Sequence, residues 1–169
     1  GFRNGEFDKY HNLTMRNGLF ENYFEMIKNS LKYLELKPEL IPTPSYFYRS
    51  MYHSFDYTGF NDPAKKYLTD LMNIIDDSVT YYCYLSDLET HSGNYENAGY
   101  LINRAYKLDS INLSCKFYLL KNAVFTKKYS DALQLQEDIL NNLEERTLFY
   151  LIDDFYLYSV FILLQNNKK

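Results

Sequence analysis

The stretch HSGNYENAGYLINRAYKLDS, residues 91–110, decides how this chain is read. It opens on a turn around Gly93 and continues as an amphipathic helix, with Asn94 placed to cap it. Ala98, Ile102 and Ala105 recur at intervals of four and three, which keeps them on one helix face. The same opening returns downstream as KKYSDA, residues 127–132, and upstream as GFNDPA, residues 59–64. Ala64, Ala98 and Ala132 stand 34 residues apart, as do Gly59 and Gly93, and Tyr95 and Tyr129. Three alanines on one period, each just inside a helix start, mark a tandem repeat.

Composition agrees with a helical reading. At 46% hydrophobic and 24% charged residues, the chain is globular and not disordered. Its 6 Gly and 4 Pro are too few for the many tight turns of an all-β fold. Net charge is −4 and no run of Lys or Arg forms a stripe, which argues against nucleic-acid binding and against adhesion to acidic membranes. The longest apolar run, residues 155–164, is shorter than the ~20 residues a bilayer span needs. The opening GFRNGEFDKY has no signal- or transit-peptide character, and a first Gly in place of Met points to a trimmed start. Two cysteines, Cys83 and Cys115, make no disulfide framework, so the compartment stays open with the cytoplasm as default.

A 34-residue period with two helices per unit resembles the tetratricopeptide repeat. The similarity covers Ser45 to about Asn142 in three tandem units, 45–78, 79–112 and 113–146. The family pattern has large or apolar residues at unit positions 4 and 7, a small one at 8, Gly or a polar residue at 15, and Tyr at 17. Ala follows at 20 and 27, with an apolar residue between them at 24. The middle unit matches with Tyr82, Leu85, Ser86, Gly93, Tyr95, Ala98, Ile102 and Ala105, but has Glu89 where an aromatic belongs and Ser110 where a proline belongs. The outer units are worn. Tyr52 and Leu120 occupy the small position 8, which predicts looser hairpins there, and Gln136 occupies the apolar position 24.

Outside these units, a helix from about Gly18 to Leu36 resembles the end of an earlier, degenerate unit over residues 1–38. The proline-rich KPELIPTP, residues 37–44, follows it as a rigid connector, with Thr43 expected as an N-cap and Pro44 at the first helical position. A very apolar terminal helix is expected over 147–165. The resemblance implies an all-α fold, a right-handed α-α superhelix of antiparallel hairpins forming one domain over 1–169.

The resemblance also implies a binding scaffold and not an enzyme, with no cofactor, metal or catalytic residue called for. No phosphate loop, dinucleotide fingerprint, nucleophile elbow or paired-histidine zinc helix is present. In this family the first helices line a concave surface, and the residues it places there are candidates for holding a protein or peptide partner. They are Tyr46, Arg49, His53 and Tyr57 in the first unit, Tyr84, Asp87 and His91 in the second, and Phe117 and Lys121 in the third. Tyr and Arg suit this role because they join large contact area to a polar handle. A chaperone-tail carboxylate clamp is not expected, because only Arg49 and Lys121 could contribute to it. Three other readings remain. One is a regulatory or sensor segment of a larger bacterial signalling or transcriptional protein. Another is a homodimer closed through the sticky helix 147–164. The third is a metal-dependent or Cys/His enzyme using Cys83, Asp87, His91 and His53, though these groups spread over ~12 Å of helix.

Overall fold

The computed structural model describes residues 9–14, 22–36, 43–142 and 152–166, and every described element is helical. The expected helix starts at residues 18–21 and 147–151 lie outside the described residues, as do 1–8. The chain divides into two compact units, Gly1–Asp76 and Asp77–Lys169.

The first unit holds α1 (9–14), α2 (Tyr23–Leu36), α3 (Ser45–Tyr57) and α4 (Asn61–Ile75). Its core is aromatic. Tyr33, Phe47, Tyr52 and Met51 are almost wholly buried, with the Tyr33 and Phe47 ring centroids 4.8 Å apart. Phe55 of α3 lies parallel to Tyr67 of α4 at 5.5 Å, an offset stack that ties the hairpin together. Burial raises the Tyr33 and Tyr67 phenols above their ordinary pKa, with nearby groups adding to the effect. Ser30 of α2 donates to Thr14 of α1 at 3.2 Å, so even the buried hydroxyls are paired.

The second unit holds α5 (Ser78–His91), α6 (Tyr95–Leu108), α7 (Leu113–Phe125), α8 (Tyr129–Asn141) and α9 (Ile152–Asn166). Helices α5 and α6 form one hairpin and α7 and α8 the next, and α9 packs on both members of the second. Phe155 and Ile162, two turns apart on α9, enter a core made by Phe117, Leu120, Val124 and Ile139.

The turn chemistry explains the period. Gly59 and Gly93 have φ of 79° and 80°, and Lys127, 34 residues on, has φ of 60°. Each is the left-handed residue that ends a first helix, and each turn closes with the same bonds. Phe60, Asn94 and Lys128 donate their N–H groups to the carbonyls of Phe55, Glu89 and Ala123 at 2.8 Å. The hydroxyls of Thr58, Ser92 and Thr126 cap the carbonyls of Ser54, Leu88 and Asn122. Past each turn, Ala64, Ala98 and Ala132 are fully buried. In the middle hairpin the small residue at position 8 is put to use, since Ser86 Oγ donates to the Ala98 carbonyl at 2.9 Å. Tyr52 and Leu120, expected to loosen their hairpins, are themselves fully buried, so these bulky side chains become core.

Two expected caps differ. Asn94 does precede α6, but its amide donates to Glu89 at 2.9 Å and caps nothing. Helix α3 begins at Ser45 with Pro44 in the cap position and no side-chain cap, so Thr43 plays no such part. Side-chain caps do form on α7, where Asn112 accepts from the Cys115 N–H at 3.2 Å, and on α5, where Asp77 accepts from the N–H groups of Val79 and Thr80 and from the Thr80 hydroxyl. Partial burial acts to raise its pKa, but these three bonds outweigh it and hold the carboxyl below its ordinary 3.8.

The α7–α8 hairpin carries two defects. Lys127 pays the steric penalty of a left-handed conformation that Gly59 and Gly93 avoid. Gln136 stands where Leu68 and Ile102 are fully buried, and its buried Oε1 accepts no hydrogen bond among the described residues. Lys127→Gly should add about 0.5–1 kcal/mol, and Gln136→Leu about 1 kcal/mol or more. Both are read as higher urea midpoints at unchanged slope. Asp77→Ala should cost about 1 kcal/mol at neutral pH. Because the folded pKa is depressed, this contribution is full above the unfolded pKa and fades as pH falls through the folded one. The wild-type and Asp77→Ala stability curves should therefore converge in acid, and a gap constant across pH would contradict the cap.

Candidate functional site

In the first unit, α3 buries Phe47, Met51 and Tyr52 and turns another face outward. Tyr46, Arg49, His53 and Tyr57 follow at intervals of three, four and four, which confines them to about 80° of the helix surface. Tyr46 and Tyr57 are 38% and 54% exposed, Arg49 is exposed and His53 half-buried. Arg49 forms no ion pair among the described residues. Tyr57 stacks on Tyr23 of α2 at 5.0 Å with the rings nearly parallel. The Tyr46 hydroxyl is hydrogen-bonded to the His11 ring, and burial pushes that phenol above its ordinary pKa. Both tyrosines are thus held in place from behind while presenting a flank. Tyr23 and His11 were not legible as members of this face, because they lie outside the three clean units and carry no 34-residue echo.

The second unit differs. Lys121 Nζ of α7 donates to Asp87 Oδ1 of α5 at 2.5 Å, and both side chains are only 7% exposed. They stand one repeat apart, at the same position of consecutive first helices. His91 Nε2 lies 3.1 Å from Lys121 Nζ and 4.0 Å from Asp87 Oδ1, with a side chain 27% exposed. This arrangement corrects the expectation for two residues: Asp87 and Lys121 are bound to each other inside the packed helices and do not face a peptide. Phe117 is corrected as well. It is 3% exposed and belongs to the core beneath α9. Tyr84 remains half-buried, and His91 forms the outer edge of the ion pair.

Cys83 also turns inward. It packs with Ile102, Ala105 and Cys115 in the core and does not share an accessible face with Asp87 and His91. The thiol of the expected Cys/His constellation therefore lies in the interior. A second ion pair, Lys116 to Asp138 at 2.7 Å, bridges α7 and α8, with the lysine buried at a position where the repeat pattern asks for a large apolar residue. Arg104 lies over the Tyr82 ring at 4.4 Å, a cation–π contact between α6 and α5.

No family model matches this chain, and no curated protein does. Among solved structures it is similar to MamA, described as "Crystal structure of MamA protein", at 14% identity with a TM-score of 0.54. The match covers 97% of this chain and 93% of that one. MamA contains tetratricopeptide repeats, and the likeness shows that this chain has an all-α, helical-repeat fold of the tetratricopeptide type.

Removing one member of a buried ion pair strands the other without water. Asp87→Ala should cost about 3–5 kcal/mol, and Lys121→Ala about as much. The double variant Asp87→Leu/Lys121→Met should recover most of the loss, because no charge remains unpaired. A double variant as unstable as either single one would show that the pair does more than satisfy itself.

Proposed function

We propose that this chain is a non-catalytic scaffold that holds a protein or peptide partner, and that the outward face of α3 is its docking surface. One observation carries the reading: Arg49 is exposed with no counter-ion among the described residues, between two tyrosines that their neighbours hold in place. An arginine in that position offers paired donors to a carboxylate, and the tyrosines offer flat area at low entropic cost. The partner chemistry that fits is an acidic segment carrying an apolar or aromatic residue. The tetratricopeptide-type fold supports the same class of role.

The proposal is tested by selecting binders from a displayed peptide library and measuring their affinity for variants. Arg49→Ala should weaken the selected peptides at least tenfold. Tyr57→Ala should weaken them by a smaller factor, while Arg104→Ala, on the second unit, should leave them unchanged. Full affinity in both Arg49→Ala and Tyr57→Ala would overturn the assignment.

A second reading has its own observation. Leu157, Val160, Phe161 and Leu164 of α9 follow at i, i+3, i+4 and i+7 and are 39–64% exposed. Such a stripe calls for a cover. We propose pairing of two copies through α9, with a regulatory domain of a longer protein as the rival cover. Sedimentation across a hundredfold range of concentration should show self-association that Leu157→Glu/Leu164→Glu abolishes. A monomer throughout would leave the rival.

A further inference from the structure

Cys83 and Cys115 sit on α5 and α7, the first helices of consecutive hairpins in the second unit. Their sulfurs are 3.4 Å apart, and neither residue is more than 2% exposed. The two thiols are the polar members of an otherwise apolar pocket walled by Ile102 and Ala105. A pair meant only to fill that pocket has no need of two sulfurs in van der Waals contact. A disulfide needs them about 2.05 Å apart, so little more than 1 Å of closure separates the thiols from a bond.

We propose that Cys83 and Cys115 are a modification site, a reversible intramolecular disulfide that staples α5 to α7. The oxidant is a low-molecular-weight disulfide of the glutathione class. One cysteine thiolate attacks that disulfide, forming a mixed disulfide and releasing one small thiol. The second cysteine loses its proton and attacks the mixed disulfide, forming the Sγ–Sγ bond and releasing the other small thiol. Two cysteine S–H bonds are lost, one S–S bond is gained, and the two electrons and two protons end on the two released thiols. Either thiol can donate in the Sγ–Sγ contact, so either cysteine can serve as the first nucleophile and the other as the resolving one.

Burial sets the kinetics. The oxidant cannot reach either sulfur while α5 and α7 are closed, so the bond forms at the rate at which they part. Once formed, it holds the same two helices that Asp87 and Lys121 join, one to two turns farther along. The staple therefore acts on the spacing of neighbouring first helices and not on the hairpins themselves.

The full chain, incubated with oxidised glutathione in urea below the unfolding transition, should lose the mass of two hydrogens. It should run as a monomer on a non-reducing gel and titrate no free thiol when denatured. Its thermal midpoint should rise by roughly 5–10 °C and return on reduction. Cys83→Ser and Cys115→Ser should each gain one glutathione and show no such rise. A wild type that carries glutathione adducts, that forms disulfide-linked dimers, or that keeps both thiols free under the same conditions overturns the proposal.

Discussion

Two conditions let each helix of a hairpin turn back closely on its partner here: one residue takes the left-handed conformation, and the next helix begins with something small. Residues 59, 93 and 127 supply the first condition, and Ala64, Ala98 and Ala132 the second. The turn fixes where each second helix starts, and the alanine lets it lie against the first. Everything else follows from that approach: which faces become core, and which residues of consecutive first helices meet. In the middle hairpin, where position 8 is small as well, the Ser86 hydroxyl even reaches the facing backbone at Ala98. Where the left-handed residue is a lysine, the same bonds form under strain.

The two units solve the same packing problem with different materials. The first fills its interior mostly with rings, beside one buried carboxylate, Asp56. The second buries Lys121 with Asp87, and buries Lys116 while its partner Asp138 stays 43% exposed. Aromatic packing tolerates changes in partner geometry, because stacked and tilted arrangements differ little in energy. A buried ion pair does not, since any separation leaves an ammonium and a carboxylate short of solvent. The Asp87–Lys121 contact therefore fixes the spacing of α5 and α7 more sharply than ring packing alone would.

The helical period was legible because it is written in glycines and alanines, whose roles depend only on backbone geometry. The α3 face was legible for the same reason: four residues at helical spacing stay together whatever surrounds them. Asp87, Lys121 and Phe117 were misread because inside and outside on a first helix depend on its neighbours. At position 9, which Asp87 and Lys121 share, a ligand-facing role and a helix-facing role have the same spacing, and only the closeness of α5 to α7 separates them. Phe117 is interior because α9 covers it, and nothing in the spacing of α7 announces that cover. Caps failed one residue at a time, since Asn94 and Asp77 each had the right chemistry and only Asp77 found the backbone N–H groups.

The ion pair between Asp87 and Lys121 also gives the hairpins an order. A hairpin with aspartate at this position is completed by a successor with lysine there, and no arrangement of two identical copies satisfies both. Duplicating α5–α6 in tandem would set aspartate against aspartate in a space without water, and duplicating α7–α8 would set lysine against lysine. Repeats with interchangeable surfaces can lengthen, shorten or slip against one another at little cost. These two cannot, so the charges that stabilise little on balance fix how many hairpins of this kind stand side by side, and in what sequence.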